Sequence, residues 1–146
     1  MIENKYKQKL SSLLGEIGER LVAYELIKRG WDVHKNLSQT GFDLYIQKGT
    51  IHRKIEVKTR DAFEASGEPK TSLLFSASPK EMETCDAVIC YARGKKNIFV
   101  IVRKNTILRL NEAVQQKDKG KIHASIKDGE ISGKWKSFVN NWDVLE

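Results

Sequence analysis

The chain has 146 residues, 40% of them hydrophobic with ten further glycines, which is enough for one packed core and too apolar for a disordered polymer. Its 26 Lys and Arg against 19 acidic residues give a formal charge of +7, which suits a polyanionic partner and disfavours a basic one. Cys85 and Cys90 lie five apart without a C-x-x-C, so neither a disulfide framework nor a thiolate zinc centre is expected, and no run approaches a membrane span.

The first ten residues are basic and lack the apolar segment of a signal peptide, and the expectation is a soluble, cytoplasmic protein with reduced, buried thiols. Leu10, Leu13, Leu14, Ile17, Leu21 and Tyr24 recur at helical spacing and Gly30 follows two basic residues, predicting a helix over about residues 9–29. Gly15 and Gly18 fall inside it, where each costs about 1 kcal/mol relative to alanine. They mark either tight packing of the helix or the close approach of another backbone or a ligand.

After Gly30 the texture turns to short β-rich runs: WDVHK, FDLYIQ and IHRKIEVKT, with Gly49 between the last two. The segment EASGEPK reads as a loop and TSLLFSA as a further strand. SPKEMETC reads as a short helix with Ser78 as N-cap and Pro79 in its first turn. DAVICYA and NIFVIV form two apolar strands joined by RGKKN. TILRLNEAVQQK is compatible with a helix and QQKDKGK with a loop, and Trp135, Phe138, Val139 and Trp142 follow helical spacing.

Chemistry concentrates in the second and third strands. A two-residue turn at Gly49-Thr50 pairs residues whose numbers sum to 99, which sets Asp43 opposite Glu56. Directly opposed Cβ atoms lie roughly 4.5–5.5 Å apart, and like charges there destabilise a sheet unless something neutralises them. A solvated surface hairpin could also carry such residues, but a divalent cation is the natural neutraliser. Alternation puts Lys58 on the face of Glu56, while Ile55, Val57 and Thr59 point the other way into a core. Hard oxygen donors with few carboxylates suit Mg²⁺, with Mn²⁺ as a substitute, and a phosphodiester is the fitting anion. Lys58 would then steady negative charge growing in the transition state.

A helix followed by three strands, with Asp43 in the second and Glu56-x-Lys58 in the third, resembles the PD-(D/E)XK nuclease superfamily, and within it the archaeal-type Holliday junction resolvases and small restriction-type nucleases. The resemblance covers most of the first 60 residues and, with the following helix and DAVICYA strand, extends over about residues 10–102. It implies an α/β, restriction-endonuclease-like α-β-β-β-α-β core with a central mixed sheet flanked by helices. A single domain over 1–146, with 103–146 as a C-terminal elaboration, follows.

The resemblance further implies a Mg²⁺-dependent DNA endonuclease with Asp43, Glu56, Lys58 and Glu19 as catalytic residues, of which Asp43, Glu56 and Glu19 hold the metal. Glu19-Arg20 matches the Glu-Arg of the family's first helix, and Glu16, one turn earlier, is its rival. Phe42 stands where the family carries Pro. DNA is the implied partner and a homodimer a compatible assembly. The alternative is a basic nucleic-acid-binding or regulatory module that does not cleave. His34, His52 and His123 have no ligand spacing, and Lys95-Lys96 falls in a hairpin loop.

Overall fold

The computed structural model describes residues 2–38 and 41–146. Helix α1 (Ile2–Lys28) leads into strands β1 (Asp32–Lys35), β2 (Leu44–Lys48) and β3 (Ile51–Asp61). Strand β4 (Ser72–Ser76), helix α2 (Pro79–Thr84), β5 (Ala87–Arg93), β6 (Ile98–Arg103) and helix α3 (Lys104–Leu110) follow. The chain closes with β7 (Lys121–Lys127), β8 (Glu130–Ser132) and 3₁₀ turns at Gln116–Asp118, Gly133–Phe138 and Trp142–Leu145. Over these residues two sheets form, one of five strands in the order β1-β2-β3-β5-β6 and one of three in the order β4-β7-β8.

The large sheet is mixed. β1, β2 and β3 form an antiparallel meander, β3 and β5 run parallel, and β6 returns antiparallel to β5. The connection between the parallel pair carries β4 and α2. The expected α-β-β-β-α-β order is therefore present, with β4 diverted into the second sheet.

Two cores lie on the two faces. Ile55, Val57, Ile89 and Ile101 pack against Val22, Leu26 and Trp31 on the α1 side. Val88, Cys90, Val100 and Val102 pack against Phe75, Met82, Ile122 and Trp135 on the side of α2 and the small sheet. Helices thus flank the sheet, but the second face is closed as much by strands as by α2.

Three details correct the sequence reading. Helix α1 begins at Ile2, not near residue 9, and its buried positions are Gly18, Val22 and Leu26, whereas Leu10, Leu13, Ile17 and Tyr24 are 43–65% exposed. Residues 121–127 form β7, paired with β4. The C-terminal aromatic residues do not share one helix: Trp135 lies in the core beside the small sheet and Trp142 in the core beside α1.

Of the two glycines within α1, Gly15 has nothing within 4 Å of where a Cβ would sit, so no close approach explains it. Gly18 does meet one. A Cβ there would lie 1.8 Å from Thr59 Oγ1 on β3, so helix and strand can pack at this separation only without a side chain. Gly18→Ala is expected to destabilise the fold by about 1–3 kcal/mol, the range for forced overpacking. Chemical denaturation checks this, and Thr59→Ala in the same chain should recover most of the loss. Thr59 is itself buried with a hydroxyl that has no hydrogen-bond partner among the described residues, so its removal leaves no polar group stranded.

Candidate active site

The hairpin between β2 and β3 has the register that its turn predicts. Leu44↔Ile55, Tyr45↔Lys54, Ile46↔Arg53, Gln47↔His52 and Lys48↔Ile51 all sum to 99. Gly49 takes φ 61° as the first residue of the turn, a conformation that glycine adopts freely. Alternation then does the rest: Glu56 and Lys58 pair with Val88 and Cys90 on the face of α2, and Ile55 and Val57 face α1.

The ladder ends at Leu44↔Ile55, one pair short of Asp43 and Glu56. There the backbone shifts, and the Asp43 N–H donates to the Ile55 carbonyl at 2.9 Å. The Asp43 Oδ2 accepts the Val57 N–H at 2.8 Å, a donor that would otherwise face the end of the ladder unpaired. On the other side, Asn36 grips the same turn. Its N–H donates to the Asp43 carbonyl at 2.9 Å, and its Nδ2 donates to the Phe42 carbonyl at 2.7 Å. Asp43 is thus held by backbone on both sides, at a notch where β2 has ended and β3 runs on.

Glu56, 3% exposed, is the one charged side chain among the buried described residues, and its Oε2 has no hydrogen-bond partner among the described residues. Burial pushes its carboxyl up to about 9, helped by the adjoining Glu81 carboxylate and the charge on Asp43 and opposed by Lys58. The Lys58 Nζ lies 3.4 Å from Glu56 Oε1 and donates to both oxygens of Glu81, at 3.0 and 2.9 Å. Burial alone would lower its pKa, but the Glu81 and Glu56 carboxylates outweigh that and raise it, so the ammonium stays charged.

Glu81 is the residue that sequence reasoning missed. It occupies the third position of α2, where its Oε1 accepts the Ser78 N–H at 2.8 Å and its own N–H donates to Ser78 Oγ, completing a capping box. The Ser78-x-x-Glu81 spacing is visible in the sequence. That the same carboxylate would reach Lys58, 23 residues earlier, is not.

Glu19 enters from α1. Burial raises its carboxyl first, followed by the charge of Asp43 and a hydrogen bond shared with it; Lys35 acts the other way and Glu16 adds to the rise. Glu16, Glu19, Arg20, Lys35 and Leu44 line one cavity of about 340 Å³. Asp43 therefore stands between two neighbours, Glu19 on the α1 side and Glu56 on the α2 side. The site is not one-sided as the hairpin alone suggested, because the notch lets carboxylates from both faces of the sheet meet.

Among the described residues no three His, Cys, Asp or Glu side chains already converge as a finished metal cage. The donor chemistry nevertheless fits a hard cation. The donors are carboxylates only, one buried oxygen is left without a partner, and the charge on Asp43 adds to the rise in proton affinity that burial gives both Glu19 and Glu56. The histidines stay apart from this group, with His52 bonded to the Tyr45 hydroxyl. A larger cavity of about 570 Å³, floored by Phe63, Ile98, Ile126 and Ile131, contains none of these acids.

A five-stranded mixed sheet with a leading helix on one face and an αβ unit closing the other is a restriction-endonuclease-like α/β fold, as the resemblance implied. Among solved structures, the bacterial homing endonuclease I-Ssp6803I superposes with a TM-score of 0.68 at 17% identity, covering 92% of this chain and 89% of that one. Hjc, a Holliday junction resolvase from the archaeal hyperthermophile Archaeoglobus fulgidus, aligns more loosely, with a TM-score of 0.49 at 18% identity over 76% of this chain and 83% of that one. At these identities the likeness is one of fold. No known family profile and no curated protein sequence matches the chain. No helix among the described residues is long and apolar enough to cross a membrane.

Proposed function

We propose that this chain is a Mg²⁺-dependent DNA endonuclease, restriction-like or resolvase-like, that hydrolyses phosphodiester bonds at the notch between β2 and β3. The observation that carries the reading is the buried Glu56 carboxyl, with a partnerless oxygen, set beside Asp43 and a charged Lys58 in a chain of net charge +7. A structural role alone leaves such a group unexplained, since a buried carboxyl without full hydrogen bonding costs stability. The fold likeness to a homing endonuclease supports the same substrate class.

Asp43, Glu56 and Glu19 would hold the metal. A Mg²⁺ ion there, or Mn²⁺ in its place, would supply positive charge to the phosphoryl oxygens and lower the pKa of a bound water. Lys58 presents a compact ammonium to the negative charge that builds on the phosphoryl group. Glu81 keeps that ammonium protonated and aimed, and its own carboxylate is fixed by the Ser78 N–H. Asp43 cannot swing away, because Val57 holds its carboxylate and Asn36 its main chain.

The test is a panel of linear, nicked, branched and single-stranded DNA incubated with Mg²⁺, Mn²⁺, Ca²⁺ or EDTA. Cleavage is expected with Mg²⁺ or Mn²⁺ and not with EDTA. Binding should weaken by about 10³-fold between about 50 and 200 mM salt, because contacts to phosphate release counterions. A flat salt response would remove nucleic acid as the partner. Salt-dependent binding without cleavage under any metal would leave the non-cleaving basic module.

A further inference from the structure

The first half of α1 stands clear of the body. Residues 4–13 are all exposed, and from residue 4 onward the first buried position of the helix is Gly18. Yet this half carries large apolar side chains: Tyr6 is 62% exposed, Leu10 65%, Leu13 46% and Ile17 43%. Their spacing alternates four, three and four residues, the seam of a helix that packs along another helix. The series continues through Tyr24 and Ile27, both exposed, but passes Arg20 on the way. Only the segment from Tyr6 to Ile17 forms a seam without a charge in it. A free helical arm of this length is marginal in water unless its apolar face is covered.

The charges beside the seam identify what covers it. We infer that the arm pairs antiparallel with the same arm of a second copy, Tyr6 over Ile17 and Leu10 over Leu13, so that the exposed apolar seam of α1 is the interface of a homodimer. In that register the flanking Lys9 of each copy meets the flanking Glu16 of the other, giving two equivalent opposite-charge pairs about the two-fold axis. A parallel, in-register pair would instead set Lys9 against Leu14 and Glu16 against Leu21, with no charge satisfied. The charges beside the seam are thus complementary only when the two arms run antiparallel, and the interface so formed is isologous. Each arm supplies four apolar side chains that its own body leaves uncovered. The inference is independent of the nuclease reading and gives Glu16 a role distinct from that of Glu19.

Sedimentation of the full chain tests it. The wild type is expected at twice 16.7 kDa, and the Leu10→Glu, Leu13→Glu variant at the monomer mass with its thermal unfolding still cooperative. Lys9→Glu alone and Glu16→Lys alone should each weaken the dimer by about tenfold or more, whereas the two together should restore it to within about threefold of wild type. The double swap keeps both pairs and leaves the apolar seam untouched, so it decides the matter even if the Leu variant folds poorly. A wild-type chain that stays monomeric at about 100 µM overturns the inference. So does a dimer indifferent to Leu10→Glu, or a double swap weaker than either single change. A monomer that loses DNA affinity on Leu10→Glu also overturns it and would assign the seam to nucleic acid instead.

Discussion

Glu56→Gln should abolish cleavage, by at least about 100-fold, while the metal-free variant melts at or above the wild-type temperature. The wild-type carboxyl is buried with a partnerless oxygen, and its pKa is pushed up to about 9, first by burial and then by Glu81 and Asp43. An unfolded glutamate titrates near the usual value of about 4.3. The folded state therefore keeps a proton that the unfolded chain releases, and the sign follows: this contribution is fully present below about pH 4 and is lost as the pH rises toward 9. Metal-free wild type is expected to lose melting temperature across that window, and Glu56→Gln, which cannot titrate, to show a flatter profile. Mg²⁺ reverses the trend in the wild type only, since a ligand bound by the folded state stabilises it and must displace the proton on Glu56. The Mg²⁺-induced rise should grow with pH in the wild type and be nearly absent in the variant. Thermal-shift titrations at several pH values decide it; parallel curves for the two proteins would return Glu56 to a purely structural role.

Lys58→Ala is expected to cost about 10²–10³-fold in cleavage and some stability as well. Its ammonium is bonded to both oxygens of Glu81 and lies 3.4 Å from Glu56. Removing it leaves the half-buried Glu81 carboxylate without the cation bonded to both its oxygens, a loss of about 1–3 kcal/mol for this degree of burial. Glu81→Gln separates positioning from chemistry. The amide oxygen can still accept from Lys58 and from Ser78, so the fold should hold, but the ammonium is less firmly aimed and the rate should fall by about tenfold. Single-turnover cleavage with saturating Mg²⁺, alongside DNA affinity measured in Ca²⁺, reads both effects. Affinity should change little, because dispersed basic residues supply it. Cleavage by Lys58→Ala within about threefold of wild type would sink the proposed role.

Much of this site could be read without a structure, and the parts that could share one property: they are local. The Gly49-Thr50 turn specifies the hairpin register by its own geometry, and strand alternation then places Glu56 and Lys58 on one face and Ile55 and Val57 on the other. The N-cap of α2 is likewise a matter of four consecutive residues. What sequence periodicity could not decide is which of two apolar faces α1 buries, because Leu10 and Leu13 look as suited to a core as Val22 and Leu26 do. The choice was made by Gly18 meeting Thr59, a contact between distant segments. The diversion of β4 into a sheet with β7, the reach of Glu81 to Lys58, and the carboxylate of Asp43 completing the bonding of Val57 are of the same kind. Composition, turn chemistry and side-chain period determined the strands of the large sheet, the register of the β2–β3 hairpin and the residue types of the candidate site. Only tertiary packing decided that acids from both faces of the sheet would meet, because that depends on where one ladder ends and its neighbour continues.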